Sequence, residues 1–380
     1  MWKSKGKRLL IVPTDPIDVY DKVGVGSWLE AYFNPHKMFE EVFAISPFGS
    51  GKREGYGMKW FLGVKERDFS QLLHKLRPDV VRAYGGFWPA DLVTQHRAEG
   101  VPVIVSVHDS RPELVHDSVK HADFVFCVSS IVAREVLARG TQPSQIRILP
   151  NRVNVDIFRP RNETTAFESI SCRFPAGKHI LHIGRKADQK NLDTLIRALA
   201  RLPQEYSCTF IGMGDCSRYL SLAEEIGVEK RCFWVEAVNN FELPLWYSWF
   251  DCFCVPSRWE GFGIVFAEAA ACGAGIVTSD IAPMNEFLTN DINACLVKDY
   301  ENPVAIAQAI HRVCEDHQFR QKIRTGAPKV AELFDARIID TLEAAFYMEA
   351  IRSGPHRFSL LERIKRKVMA SQRLQTIRGS

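Results

Sequence analysis

Short apolar runs without polar alternation recur along the whole chain, and they constrain the fold more than any other feature of the sequence. In the first half they lie at residues 8–12, 79–84, 101–107, 123–128 and 146–149. Such runs are typical of parallel strands that are buried on both faces. Segments between them have the spacing of amphipathic helices, at 69–76, 90–98 and 131–139. This alternation predicts an α/β domain with a mainly parallel sheet.

The second half of the chain repeats the scheme. Strands are predicted at 178–183, 207–211, 232–235, 252–255, 275–278 and 294–297, and helices at 191–202, 218–226, 243–250, 264–272 and 303–314. We therefore predict two doubly wound, Rossmann-like domains that face each other across a cleft, with ligands at the carboxyl ends of the strands. The segment 158–176 is polar and carries two prolines, which is typical of a linker.

The predicted boundaries follow from these patterns. The expected parts are an N-terminal domain at 1–160, a linker at 161–176, a C-terminal domain at 177–350 and a basic C-terminal helix at 351–380. The length of 380 residues suits about two domains, and 46% apolar with 25% charged residues is an ordinary globular composition.

The charge of the chain is unevenly distributed. The net charge is +4, yet residues 356–380 alone hold seven Lys or Arg and one Glu. Because the remainder is near neutral, we expect no nucleic-acid partner.

The cysteines and the apolar runs indicate the compartment. The ten cysteines are scattered, without a C-x-x-C pair or zinc-finger spacing, and no D-x-D motif occurs. We therefore expect no metal site. The apolar run after the basic N-terminus stops at Pro13, and no segment approaches about 18 consecutive apolar residues. These patterns favour a reduced, cytoplasmic protein without a membrane span.

The first group of candidate site residues follows the strand at 178–183. The sequence there is G-R-K-A-D-Q-K-N, so Arg185 and Lys190 leave the carboxyl end of a strand just before a helix. A planar guanidinium and a compact ammonium together suit a diphosphate. The alternative is a pair of solvated basic residues in a loop.

A glycine pair follows the next strand, in F-I-G-M-G-D at 210–215. Glycines such as Gly214 allow the backbone to approach a ligand closely. The stretch is not a full G-x-G-x-x-G, because residue 217 is Ser. An ordinary turn is the alternative.

The stretch E-G-F-G-I-V-F-A-E places a carboxylate at each end of an apolar run. The backbone N–H groups of Gly263, Ile264 and Val265 would open a helix and face an anion. Glu260 precedes this helix and Glu268 lies inside it, so the two differ in height by roughly 7 Å at about 1.5 Å per residue. They therefore suit two different hydroxyl-bearing groups, a sugar at Glu260 and a ribose at Glu268. The alternative for Glu268 is an exposed helical Glu.

The first domain offers fewer candidates. The loop G-V-G-S-W after the first strand brings Gly24 and Gly26 to the expected cleft, and His108 follows the strand at 101–107. A single His at a strand end can equally be structural. The aromatic pair Phe87 and Trp88 follows the strand at 79–84 and could stack on a sugar, although core aromatics are commoner.

Taken together, these motifs resemble the retaining nucleotide-sugar glycosyltransferases of the GT-B fold, in the glycosyl transferases group 1 family. P-S-R-W-E-G-F-G-I-V-F-A-E resembles the family's P-S-x-x-E-G-F-G block with its E-x7-E spacing, and H-I-G-R-K-A-D-Q-K-N-L resembles its G-R-x-x-x-x-K-N block. A-D-F-V-F-C-V-S and I-L-P-N-R-V-N-V-D-I-F-R-P are similar to two further blocks. The matching text spans most of the chain.

The resemblance implies roles for the candidate residues. Arg185 and Lys190 would bind the donor diphosphate, and Glu268 the ribose hydroxyls. Glu260 would contact the transferred sugar, together with the backbone of residues 263–265. His108 would contact the sugar or the acceptor.

The resemblance also implies the remaining donor contacts and the reaction. Gly24 and Gly26 would form a loop over the diphosphate, and Gly214 would lie in the donor site. The implied function is retaining, metal-independent sugar transfer from a nucleotide-diphosphate sugar, with a UDP-sugar expected, to a hydroxyl of a glycan, a glycolipid or a small-molecule glycoside. No cofactor is expected, since the nucleotide sugar is a co-substrate.

Several residues depart from the family pattern. Arg152 stands in place of a usual Gly, Ala237 in place of a frequent Gly, Gly275 in place of the usual Pro, and Ala282–Pro283 in place of a usual Gly pair. These departures leave the base and the sugar of the donor open.

Two rival functions remain at this point. A catalytically inactive GT-B partner subunit would share the fold, although intact Glu260, Glu268, Arg185 and Lys190 argue against it. A nucleotide-sugar epimerase on the same scaffold is the other, but the E-x7-E block resembles the transferases.

The basic tail also has two interpretations. Leu361, Ile364 and Val368 have helical spacing among basic residues. This predicts a last helix that crosses back onto the N-terminal domain, as in the family. The second hypothesis is peripheral attraction to an anionic membrane leaflet, useful for a lipid-linked acceptor. The two can coexist.

Overall fold

The structure is a computed structural model that describes residues 6–22, 26–162 and 164–355. The chain divides into two compact units. The first contains the chain up to Pro150 and resumes at Asp340, and the second is Asn151–Ile339. Each unit contains its own sheet, so the predicted class, α/β with two Rossmann-like domains, is confirmed.

The first unit is built on an eight-stranded sheet in the order β3-β4-β2-β1-β5-β6-β7-β8. Its strands are β1 Arg8–Val12, β2 Glu41–Ser46, β3 Gly51–Gly55, β4 Met58–Leu62, β5 Val80–Tyr84, β6 Val103–Val107, β7 Phe124–Cys127 and β8 Ile146–Ile148. Its first helices are α1 Ile17–Lys22, α2 Gly26–Phe33, α3 Glu66–Leu76, α4 Trp88–Gln95 and α5 Ser130–Ala138. All pairings are parallel except β3 with β4.

The second unit has a six-stranded, fully parallel sheet in the order β11-β10-β9-β12-β13-β14. Its strands are β9 Lys178–Ile183, β10 Tyr206–Ile211, β11 Cys232–Val235, β12 Cys252–Val255, β13 Ile276–Ser279 and β14 Cys295–Val297. Its helices are α6 Thr164–Ser171, α7 Leu192–Leu199, α8 Ser217–Glu225, α9 Leu243–Trp249, α10 Ile264–Ala271, α11 Met284–Phe287, α12 Pro303–Glu315 and α13 His317–Ala331. The central strands are buried along their length, as their apolar runs predict.

The last described helix, α14 Ala336–Ser353, begins at the end of the second unit and continues into the first. There the ring of Tyr347 lies 5.0 Å from that of Phe39, and the Glu343 carboxylate accepts a hydrogen bond from the buried Arg82 guanidinium. The basic C-terminal helix was predicted at 351–380, whereas α14 ends at Ser353. The basic tail from residue 356 lies outside the described residues.

The unit boundaries differ from the predicted ones. The first crossing falls after Pro150 instead of residue 160, because Val153 exchanges backbone hydrogen bonds of 2.7 and 2.9 Å with Phe334 and Ala336. The predicted linker at 161–176 contains helix α6, and its Phe174 ring stacks on Trp249. The polar composition of this segment had indicated a linker and not a helix.

The sequence patterns also missed three strands of the first unit, β2, β3 and β4. Four of the five residues of β3 are exposed and three are charged, as is usual for an edge strand. Among the described residues, the helices include none with the length and apolarity needed to span a membrane.

Candidate active site in the second unit

The strand order of the second sheet reverses at β9. From β9 the chain winds outward through β10 and β11, and it then returns to place β12 on the other side of β9. Ligands of open α/β sheets bind outside the carboxyl ends of the strands at such a reversal. The loops that follow β9 and β12 are the two motif blocks of the sequence, at 184–191 and 256–263.

The loop after β9 depends on a glycine. A Cβ at Gly184 would lie 3.0 Å from Cε and 3.2 Å from Cδ of Lys190. Because Gly184 has no side chain, the aliphatic part of Lys190 can pack against the loop. Lys190 is only 8% exposed there. Arg185 is exposed and donates a hydrogen bond of 3.2 Å from Nη2 to Gln189 Oε1.

The loop after β12 also ends on a required glycine. Gly263 has φ 78° and caps α10, and a Cβ there would lie 2.6 Å from Cδ2 of Phe266. Ile264 and Val265 form the first turn of α10. The N–H groups of a first helical turn have no intrahelical acceptor, so they are available to an anion.

The two loops meet in an ion pair. Lys190 Nζ lies 2.5 Å from Oε1 of Glu260, a residue that is only 5% exposed. Ser257 Oγ donates a hydrogen bond of 2.7 Å to the same oxygen, and Gln189 Nε2 lies 3.3 Å from Oε2. Residues that the sequence assigned to separate parts of a ligand are therefore in direct contact.

Arg258 holds the same two loops together from the other side. Its backbone N–H donates a hydrogen bond of 2.8 Å to Gln189 O. Its guanidinium donates to Asp188 O at 2.7 Å, to Asp193 Oδ2 at 2.9 Å and to Glu301 Oε1 at 3.1 Å. These bonds fix the relative position of the Lys190 and Glu260 segments.

Glu268 belongs to a separate set of contacts. Tyr247, which is fully buried, donates a hydrogen bond of 3.1 Å to Glu268 Oε2. Burial raises the pKa of Glu268 to about 7, and the bond from Tyr247 acts in the opposite direction. The residue as a whole is half-buried. Since Glu260 and Glu268 have different partners, they do not share one proton.

The glycine pair after β10 packs against the loop after β9. A Cβ at Gly212 would lie 2.1 Å from Gly184 O, and one at Gly214, which has φ 124°, would lie 3.1 Å from the backbone of Lys186. Lys186 Nζ donates hydrogen bonds to Gly212 O and, at 3.2 Å, to Val235 O. Gly214 therefore lies beside the predicted diphosphate residues.

The remaining predicted residues belong to the first unit. His108 follows β6, and its ring stacks on that of Tyr84 with centroids 6.3 Å apart. Gly26 begins α2, and Gly24 lies outside the described residues. Within the described ranges, there is no group of three His, Cys, Asp or Glu residues arranged to hold a metal ion.

Sequence reasoning missed four residues of the second-unit site: Gln189, Ser257, Arg258 and Tyr247. The first three lie inside the quoted motif blocks, so their position next to Lys190 and Glu260 was the available signal. Tyr247 lies in an apolar helix, and no sequence signal indicated its role.

Two family models match parts of the chain. Residues 171–330 match the family model described as Glycosyl transferases group 1, and residues 31–157 match the model described as Glycosyltransferase Family 4. The motif blocks of the second unit lie within the first match.

Two curated relatives are similar over part of the chain. An uncharacterized glycosyltransferase of Methanocaldococcus jannaschii is 30% identical over 212 residues, which is 54% of this chain and 54% of the relative. A D-inositol 3-phosphate glycosyltransferase of Xylanimonas cellulosilytica is 29% identical over 229 residues, covering 57% and 54%. The chain thus spans about half the length of these relatives.

Solved structures share the fold. HepE of Anabaena in complex with UDP-glucose has a TM-score of 0.75 at 16% identity, with 90% of this chain and 100% of that chain covered. Sucrose-phosphate synthase of Thermosynechococcus elongatus has a TM-score of 0.72 at 17% identity, with 90% and 98% covered. At these identities the likeness establishes the fold, which is GT-B. On this fold, residues 171–330 match the glycosyl transferases group 1 model and residues 31–157 match the Glycosyltransferase Family 4 model, so the chain is similar to glycosyltransferases over both stretches.

Proposed function

We propose that this chain is a retaining glycosyltransferase that moves a sugar from a nucleotide-diphosphate sugar to a hydroxyl acceptor without a metal ion. The observation that carries the proposal is the cluster of the buried Lys190, Glu260 and Ser257, with the half-buried Gln189, at the strand-order reversal of the second sheet. It places a cation, a carboxylate and the first turn of α10 at one position, where ligands of this fold class bind.

Positive groups of the chain would take the role that a metal has in other transferases. A departing diphosphate gathers negative charge in the transition state, so fixed cations stabilise that state more than the ground state. Arg185 is exposed and free to reach the phosphates beyond its bond to Gln189, and Lys190 is held in place by Glu260. The N–H groups of Ile264 and Val265 add a third positive element.

Glu260 is better suited to hold a sugar hydroxyl than to attack the anomeric carbon. Its Oε1 accepts hydrogen bonds from both Lys190 and Ser257, and each bond lowers the nucleophilicity of the carboxylate. This supports front-face attack through an oxocarbenium-like state over a covalent intermediate on Glu260. Glu268 would bind the ribose hydroxyls, with Gly214 beside the donor.

The first unit would contribute the other contacts. His108 is proposed to contact the sugar or the acceptor, and Gly24 and Gly26 to form the loop over the diphosphate. A UDP-sugar is the proposed donor, since the similar HepE of Anabaena was solved with UDP-glucose. The acceptor is proposed to be a carbohydrate, because a similar TarM of S. aureus was solved with α-GlcNAc-glycerol and UDP. Glycan biosynthesis is the corresponding role.

The test is calorimetric titration with UDP. We expect the Arg185→Ala/Lys190→Ala variant to lose at least tenfold in UDP affinity, because two phosphate ligands are removed. The matched control, Arg201→Ala/Lys230→Ala, removes the same charge from exposed residues at the opposite edge of the sheet. Equal affinity in both variants would refute the diphosphate assignment. A screen of nucleotide sugars for released nucleotide then identifies the donor.

A further inference from the structure

A second strand-order reversal occurs in the first unit, between β1 and β5. From β1 the chain winds through β2 to β4 on one side, and from β5 through β6 to β8 on the other. The carboxyl-end loops at this reversal are a second position where ligands of open α/β sheets bind. The loop after β2 carries Phe48, and the loop after β5 leads into Trp88.

The loop after β5 is shaped by two glycines. Gly85 has φ 113°, and a Cβ there would lie 2.9 Å from Cε1 of Phe87 and 3.0 Å from Oγ1 of Thr14. At Gly86 a Cβ would lie 3.0 Å from Leu114 O. Any larger residue would push the chain outward, so this glycine pair sets where α4 begins and where Trp88 projects.

Phe48 and Trp88 form an edge-to-face aromatic pair, whose rings we call the aromatic surface. Their ring centroids are 5.8 Å apart with the planes at 90°, and Phe48 is 43% exposed. The Phe48 loop is held by a 3.1 Å hydrogen bond from Gly63 N to Phe48 O and by one of 3.2 Å from Phe48 N to Ser46 Oγ. Binding of a ligand over an exposed ring on a fixed loop is favourable, because it removes apolar surface from water.

Polar groups lie within one helical turn of this surface. Asp91 is three residues beyond Trp88 on α4, and its Oδ2 lies 2.8 Å from Nδ1 of His116. His116 is held in turn by a 2.7 Å bond from its backbone N–H to Gly86 O. A carboxylate and an imidazole beside an aromatic face can bind hydroxyl groups, whereas the carboxylate disfavours an anion.

We propose that Phe48, Trp88 and the Asp91–His116 pair bind a neutral pyranose ring of the acceptor, which makes the acceptor a glycoside. The exposed Phe48 ring covers the apolar C–H face of the pyranose, the perpendicular Trp88 ring borders it, and Asp91 and His116 bind hydroxyls at its edge. An aliphatic chain would cover the rings but leave this polar pair without a function. The inference rests on the proposed transferase function, whose donor site lies on residues of the second unit.

The test uses the full chain and saturation-transfer NMR with four probes: the methyl pyranosides of glucose, galactose, mannose and N-acetylglucosamine. We expect at least one probe to show saturation transfer that falls at least fivefold in Phe48→Ala/Trp88→Ala and is retained in Trp88→Phe. The matched control is Phe241→Ala, since Phe241 is also an exposed aromatic, at 54%, in the second unit. Loss of signal in that control, or no probe that depends on the two rings, would overturn the proposal.

UDP titration of the same variants separates this proposal from the proposed function. Phe48→Ala/Trp88→Ala is expected to bind UDP as tightly as the unmodified chain. If the unmodified chain binds UDP but no glycoside, the acceptor proposal fails and the donor assignment stands. If glycosides bind and UDP does not, the donor assignment fails.

Discussion

Lys190 Nζ lies 2.5 Å from Glu260 Oε1, although the two residues are 70 positions apart in the sequence. Each is nearly inaccessible to solvent, so each neutralises a charge that would otherwise be costly to bury. In the proposed reaction the pair also connects the two ends of the breaking bond, with the cation at the leaving diphosphate and the carboxylate at the sugar.

Breaking this pair on one side should strongly destabilise the second unit. Removing one partner of a buried ion pair typically costs about 3–5 kcal/mol, because a charge is left without a partner. We therefore expect Lys190→Met to lower the free energy of unfolding by this amount in urea denaturation. Lys190→Met/Glu260→Gln should recover most of the loss, since no buried charge remains. A single variant as stable as the unmodified chain would contradict the assigned burial.

The affinity for UDP should depend on the protonation of Glu268. Its pKa is raised to about 7, so the carboxylate takes up a proton as the pH falls through 7 and then accepts fewer hydrogen bonds from ribose. Affinity is expected to weaken below pH 7 and to level off above pH 8, as measured by titration across this range. Glu268→Gln should remove this dependence. A slope that persists in Glu268→Gln would assign it to another group.

The raised pKa of Glu268 should affect stability in the opposite direction, because ionisation that favours UDP binding disfavours folding. The folded chain binds this proton more tightly than the unfolded chain does, so the contribution of Glu268 to stability falls as the pH rises from about 4.5 to 7. Glu268→Gln should therefore be more stable than the unmodified chain at pH 8, where the ionised carboxylate is most costly. Thermal denaturation of both proteins at pH 5 and pH 8 measures this difference, and a larger difference at pH 5 would be inconsistent with it.

Tyr247 should tune the protonation of Glu268. Its hydroxyl stabilises the ionised carboxylate, and a hydrogen bond to a charged group contributes about 1.5 kcal/mol, or about one pH unit. In Tyr247→Phe we expect the midpoint of UDP affinity to move by about that much toward higher pH. Tyr206→Phe is the control, since it removes a 2.6 Å bond to Glu315 at the far edge of the sheet. An equal movement in both variants would rule out a specific effect of Tyr247.

Gly263 should be intolerant of a side chain for two separable reasons. It has φ 78°, and a Cβ would meet Phe266 at 2.6 Å. Gly227 has nearly the same φ, 71°, with open space around it. Gly227→Ala should therefore cost about 1 kcal/mol for the backbone alone. Gly263→Ala should cost more and also weaken UDP binding, because α10 must move. Equal stability of the two variants in urea would show that the Phe266 contact is relaxed at no cost.

Local sequence was sufficient to predict many of the strands and both motif loops of the second unit. The apolar runs at 8–12 and 178–183 predict burial on both faces of a strand, and this pattern lies entirely within the strand itself. The motif blocks at 184–191 and 256–263 were equally visible, because each directly follows a predicted strand. These local signals located both loops of the proposed donor site.

Contacts between distant segments required the fold itself. The ion pair of Lys190 with Glu260, the clamp by Arg258 and the bond from Tyr247 to Glu268 join residues on different loops and helices. Neither periodicity nor spacing encodes them, because both describe one element at a time. Helix α14 joins the first unit and α6 occupies the predicted linker for the same reason: each is stabilised by distant surfaces that a local window does not contain.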